Sequence, residues 1–131
     1  MAINNPYQTY QKNAVTTAST ADLTLMLYNA ALKFLHLAKA AIDNKDFSTR
    51  NTNLLKVQDI TKEFMSSLDM TIPLSENLLV MYEYMNRQLI QANIKNDKAI
   101  VEEVEGYYIE LRDTWKEAMV LAKKQKAAGS E

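Results

Sequence analysis

The stretch Leu23–Ile42, LTLMLYNAALKFLHLAKAAI, carries more apolar side chains than one buried helix face can use. A surface helix of a small bundle needs one apolar stripe toward the core. Here one stripe runs Leu23, Met26/Leu27, Ala30, Phe34, Leu37/Ala38 and Ala41. A second runs Leu25, Tyr28, Leu32, Leu35 and Ile42, interrupted at Lys39. Only a thin line, Asp22, Asn29, Lys33, His36 and Asp43, is polar. The period is that of a helix, and the doubled stripe raises the question of what covers its second half.

Outward from this stretch the same period recurs. Ser19 is placed to cap the first helix, with Asp22 at the third position of a capping box. "DNKD" then turns the chain near Asp43. A second helix is expected from Asp46 to about Leu68, with Leu54, Val57, Ile60/Thr61, Phe64 and Leu68 three and four apart. Pro73 lies in the longest break, and Ser75 is the expected cap of a third helix ending near Ile94. Its stripe is Leu78, Tyr82, Met85, Leu89 and Ala92. The fourth, Asp97 to about Lys124, repeats Val101, Val104, Tyr108, Leu111, Trp115, Ala118 and Ala122. Short connections make sequential helices antiparallel. The expected fold is all-α, an antiparallel up-down-up-down four-helix bundle over residues 19–126. Residues 1–18 read as an N-terminal arm or cap and 127–131 as a flexible tail.

Composition narrows the function. At 131 residues the chain is one domain able to bury a core without staples. It has no cysteine, which removes thiol catalysis and disulfides. No apolar run reaches the roughly 18–20 residues of a membrane span, and no signal peptide is expected. A net charge of −1 argues against nucleic acid as the main partner. The sole histidine, His36, sits on the polar line, so neither a metal centre nor a Ser-His-Asp triad can be assembled around it. No catalytic residue, metal or cofactor is expected.

Two features stand out beyond the core. Gly106 lies inside the fourth helix, where glycine costs ~1 kcal/mol relative to alanine. Either a neighbouring helix packs closely there or a partner backbone crosses. Met81, Tyr84 and Met85 beside Tyr28 and Leu32 would make a soft apolar groove suited to helices. Tyr7 and Tyr10 in "NPYQTYQ" could anchor a detachable lid over it, or belong to an ordinary terminus. The candidate groove and lid residues are Tyr7, Tyr10, Leu25, Tyr28, Leu32, Leu35, Met81 and Tyr84. Tyr82, Met85, Leu111 and Trp115 are assigned chiefly to the core. On residues alone, a generic interaction module using the excess stripe as a homodimer interface stays open.

The motifs "NPYQTYQ", "LTLMLYNAALKFL", "VQDITKEFMSSLD", "MYEYMNRQLIQANIKND" and "EVEGYYIELRDTW", in this order, resemble the FliS family of flagellin-export chaperones. The similarity covers about Asn5 to Met119. It departs at Ala30, where relatives often carry glycine. The resemblance implies a bacterial cytosolic bundle that binds the C-terminal segment of flagellin in hydrophobic grooves and competes with its own N-terminal arm. It further implies delivery to the flagellar type III export apparatus, with the export gate and other flagellar regulators as further partners. Tyr7 and Tyr10 fall in the family's N-terminal motif. Leu27, Tyr28 and Leu32 fall in its first-helix motif, and Tyr82, Tyr84, Met85 and Asn93 in its third-helix motif.

Overall fold

The computed structural model describes residues 19–129, which form four helices: α1 (Thr20–Asp43), α2 (Phe47–Ser66), α3 (Leu74–Lys95) and α4 (Lys98–Gly129). The arm at 1–18 and residues 130–131 lie outside the described residues. Local chemistry sets most boundaries. Ser19 Oγ accepts the Asp22 N–H at 3.1 Å while the Asp22 carboxylate accepts the Ser19 N–H at 3.3 Å, closing the expected capping box. Asp46 caps α2 by accepting the Thr49 N–H at 3.2 Å and the Thr49 hydroxyl at 2.6 Å. Those bonds, the hydroxyl first, hold its carboxyl below the usual range. The cap therefore loses its contribution as the pH falls through that lowered value.

Two ends differ from expectation. Ser75 lies inside α3 and does not cap it; its hydroxyl donates to the Asp69 carbonyl at 2.6 Å and closes the long connection. Pro73 stands at the cap position with no side-chain bond to offer. The fourth helix continues to Gly129, past the expected end at Lys124.

Each helix packs on its sequence neighbours, and α4 returns to α1. This ring explains the doubled stripe. Phe34, on the first stripe, lies under Lys56 of α2, with the ammonium 5.0 Å from the ring centre. Lys39, which interrupts the second stripe, pairs with Glu105 of α4 at 2.8 Å. Phe34 thus meets α2 and Lys39 meets α4, while Tyr28 of the second stripe stacks on Phe64 of α2, so more than one neighbour buries what one could not.

The core carries two hydroxyl bridges across its diagonals. Tyr28 of α1 meets Tyr82 of α3, hydroxyl to hydroxyl at 3.3 Å. Tyr108 of α4 meets Thr61 of α2. The Thr61 hydroxyl donates to the Val57 carbonyl at 2.8 Å, so Tyr108 must be the donor in its pair. Phe64 stacks against both tyrosines of the other pair, at 4.7 Å from Tyr28 and 5.7 Å from Tyr82.

Gly106 is exposed, and a Cβ built there meets nothing within 4 Å. The expectation of a close helix neighbour is overturned. Gly106→Ala should therefore stabilise the bundle by about 1 kcal/mol, read as a higher urea midpoint with unchanged slope.

The apolar mouth of the bundle

The two ends of the bundle differ in chemistry. At one end the chain reverses twice in two or three residues, at 44–46 and 96–97, with Lys45 and Asn96 in left-handed conformations. Polar bonds tie that end. Lys98 pairs with Asp43 at 2.9 Å, and Arg50 donates to Asn93 at 2.8 Å and to Asn96 at 2.9 Å.

At the other end α1 begins, α2 stops, a longer connection crosses to α3, and α4 runs on alone. The core is open there. A cleft of about 450 Å³ is lined by Leu23, Leu27 and Tyr28 of α1, Phe64 of α2, Leu68 after it, Leu78 and Tyr82 of α3, and Trp115 of α4. A second, of about 340 Å³, follows the α3–α4 seam past Leu74, Leu78, Met81, Tyr107, Leu111 and Trp115. A third, of about 350 Å³, lies between Ser19, Ala21 and Asp22 and the continuing α4 at Trp115, Ala118, Met119 and Ala122. Trp115 borders all three, and its indole N–H donates to the Ala21 carbonyl at 3.0 Å, which fixes the ring. From Lys116 to Gly129, α4 extends as about 20 Å of largely exposed helix, including Val120 and Leu121.

Most polar groups in the first cleft already have partners. The Thr24 hydroxyl donates to the Thr20 carbonyl and the Ser67 hydroxyl to that of Phe64. The Glu63 carboxylate and Thr20 also border this cleft, so it offers apolar area with polar groups beside it, which suits an amphipathic helix laid into a groove.

The candidate residues fall into distinct environments. Tyr28 borders two of the concavities and Met81 one. Leu25 and Leu32 are half-buried and border none of the three. Leu35 has 0% exposure and is sealed in the core. It supports the wall and cannot touch a partner. Tyr84 is half-buried on the α3–α4 seam, where its hydroxyl donates to Glu103 at 2.7 Å beside the Tyr107 ring. Tyr7 and Tyr10 lie outside the described residues.

Sequence reasoning missed Trp115, Leu78, Leu23 and Leu68 as lining residues. Counting helix lengths from the short turns would have placed Trp115 level with about Met26, in the second turn of α1, close to where cover runs out. Among the described residues no three carboxylate or imidazole groups gather to hold a metal, and no helix is long and apolar enough to cross a membrane.

Comparison with known proteins addresses the family. The family model described as "Flagellar protein FliS" matches residues 3–122. This chain belongs to the FliS family. It is 50% identical over 126 residues to the flagellar secretion chaperone FliS of Bacillus subtilis (strain 168), covering 96% of this chain and 95% of that one. It is 34% identical over 112 residues to the flagellar secretion chaperone FliS of Escherichia coli (strain K12), covering 83% and 82% respectively. For a FliS-family chain, the exposed apolar mouth is the feature that a generic four-helix bundle would have no reason to leave open.

Proposed function

We propose that this chain is a cytosolic export chaperone that receives the C-terminal segment of flagellin in its apolar mouth. Binding keeps that segment from premature polymerisation and presents it to the flagellar type III export apparatus. The observation that carries the reading is the set of three adjoining apolar concavities around Trp115. They share Trp115 and reach from the α3–α4 seam to Ala118, Met119 and Ala122 of α4. Residues 1–18 enter the structure at Ser19, on the wall of the third concavity, the right place for a cover that a client displaces. The names of the relatives, secretion chaperones of the flagellum, support the same reading.

Calorimetric titration with a peptide covering the C-terminal segment of the cognate flagellin tests it. The expected result is saturable one-to-one binding with a large negative heat-capacity change and weak salt dependence, because apolar burial dominates. Absence of heat and of helix gain would remove flagellin as the client. A steep loss of affinity with salt would mean that charge dominates the contact. Val120 and Leu121, exposed on the α4 extension, favour one other reading, a homodimer through that helix. Sedimentation at micromolar concentration separates the two, since a stable dimer persists without a client.

A further inference from the structure

The floor of the mouth holds a hydrogen-bond donor with no acceptor among the described residues. Tyr28 is 6% exposed and Tyr82 3% exposed, and both border the first cleft and the α3–α4 groove. Their hydroxyls share one hydrogen bond at 3.3 Å. Two phenols bring two protons, and a pair uses only one of them between its members. The other diagonal bridge has no such surplus: Tyr108 donates to Thr61, and Thr61 donates onward to Val57. No carbonyl, carboxylate or amide among the described residues accepts the remaining proton of the Tyr28–Tyr82 pair. Burial raises the pKa of both phenols, so the pair stays neutral and keeps both protons. A donor left unmatched in an apolar site is unfavourable, which makes the position a demand on whatever fills the mouth.

Resting on the client-binding reading above, we infer that the Tyr28–Tyr82 hydroxyl pair is the polar anchor of the mouth and sets the specificity of binding. It donates one hydrogen bond to an uncharged side-chain oxygen, that of Asn, Gln, Ser or Thr, on an otherwise apolar helical segment of the client. The acceptor comes from a side chain because a helical segment uses its own backbone carbonyls within the helix. It is uncharged because no cation borders either concavity that the pair faces, and a buried carboxylate would need one.

The test is a double-mutant cycle on the full chain, with the C-terminal peptide of the cognate flagellin as probe. Tyr28→Phe or Tyr82→Phe alone leaves one hydroxyl able to donate, so affinity should stay within about threefold of wild type. The double variant Tyr28→Phe/Tyr82→Phe removes every donor at the floor and should weaken binding roughly tenfold or more. Its empty bundle should melt at the same temperature or higher, since an unmatched donor has been removed. In a set of peptides with each Asn, Gln, Ser or Thr replaced singly by alanine, one replacement should abolish the difference between wild type and double variant.

A double variant that binds the wild-type peptide as tightly as the unaltered chain overturns the anchor while leaving the client reading intact. So does one whose loss of affinity tracks a lowered melting temperature, or a peptide set in which no replacement removes the difference. If the unaltered chain does not bind the peptide at all, the client reading fails first.

Discussion

Trp115→Ala is expected to weaken flagellin-peptide binding by about 2–4 kcal/mol, roughly 30- to 1000-fold, while leaving helix content unchanged. The indole is the one side chain common to all three concavities, so its removal merges them into a shallow depression. Truncation also removes the indole bond to the Ala21 carbonyl, which as a first-turn carbonyl keeps its place as an acceptor within the helix. The bundle should lose only about 1–2 kcal/mol, because the ring is half-buried and the core proper lies below it. Trp115→Phe keeps most of the surface without the N–H and should retain affinity within about tenfold. Titration of the three proteins side by side decides the matter. Equal affinities would place the client elsewhere on the molecule.

The second large effect is on folding. Leu35→Ala should destabilise the bundle by about 2–5 kcal/mol in urea denaturation, since Leu35 has no exposed surface and a cavity remains where it stood. Against a typical stability of about 5–15 kcal/mol this is a large fraction of the whole. The half-buried Leu32, one turn away on the same stripe, should cost clearly less when truncated. At temperatures where Leu35→Ala remains folded, its client affinity should match that of the unaltered chain. Loss of affinity without loss of stability would show that this stretch of α1 opens to the partner.

The contrast between Leu35 and Trp115 shows how far the sequence could be read. Periodicity placed four helices, the Ser19–Asp22 capping box and the polar line bearing His36, because those depend on neighbours within a few residues. The stripe on α1 was visible too, and so was its break at Lys39. What periodicity could not supply was depth. Leu35 and Tyr28 occupy the same stripe, yet one is sealed in the core and the other borders an opening, a difference set by where neighbouring helices end. The pattern on α4 likewise continues through Ala118 and Ala122 as though cover persisted, although only the first residues of α1 face them, across an open concavity. Ser75 failed as a cap for a related reason: the fold of the 67–73 connection starts the helix at Leu74, which puts Ser75 inside it, with its hydroxyl donating to the Asp69 carbonyl. Gly106 was legible as an oddity, but only the packing showed that no helix crosses it.

The unlike ends of the bundle have a mechanical corollary. Two tight reversals and the Arg50, Asp43 and Lys98 bonds pin the helices at one end, while at the mouth the described residues offer the 67–73 connection and the Trp115–Ala21 bond. Rods fixed at one end act as levers. Over α3, ~33 Å long, a tilt of about 5° moves the free tip by roughly 3 Å while the pinned end hardly shifts. Small changes of angle, rather than the rebuilding of a loop, would be enough to alter the width of the opening. A pair of tongs with its pivot far from its jaws adjusts to objects of different thickness in the same way.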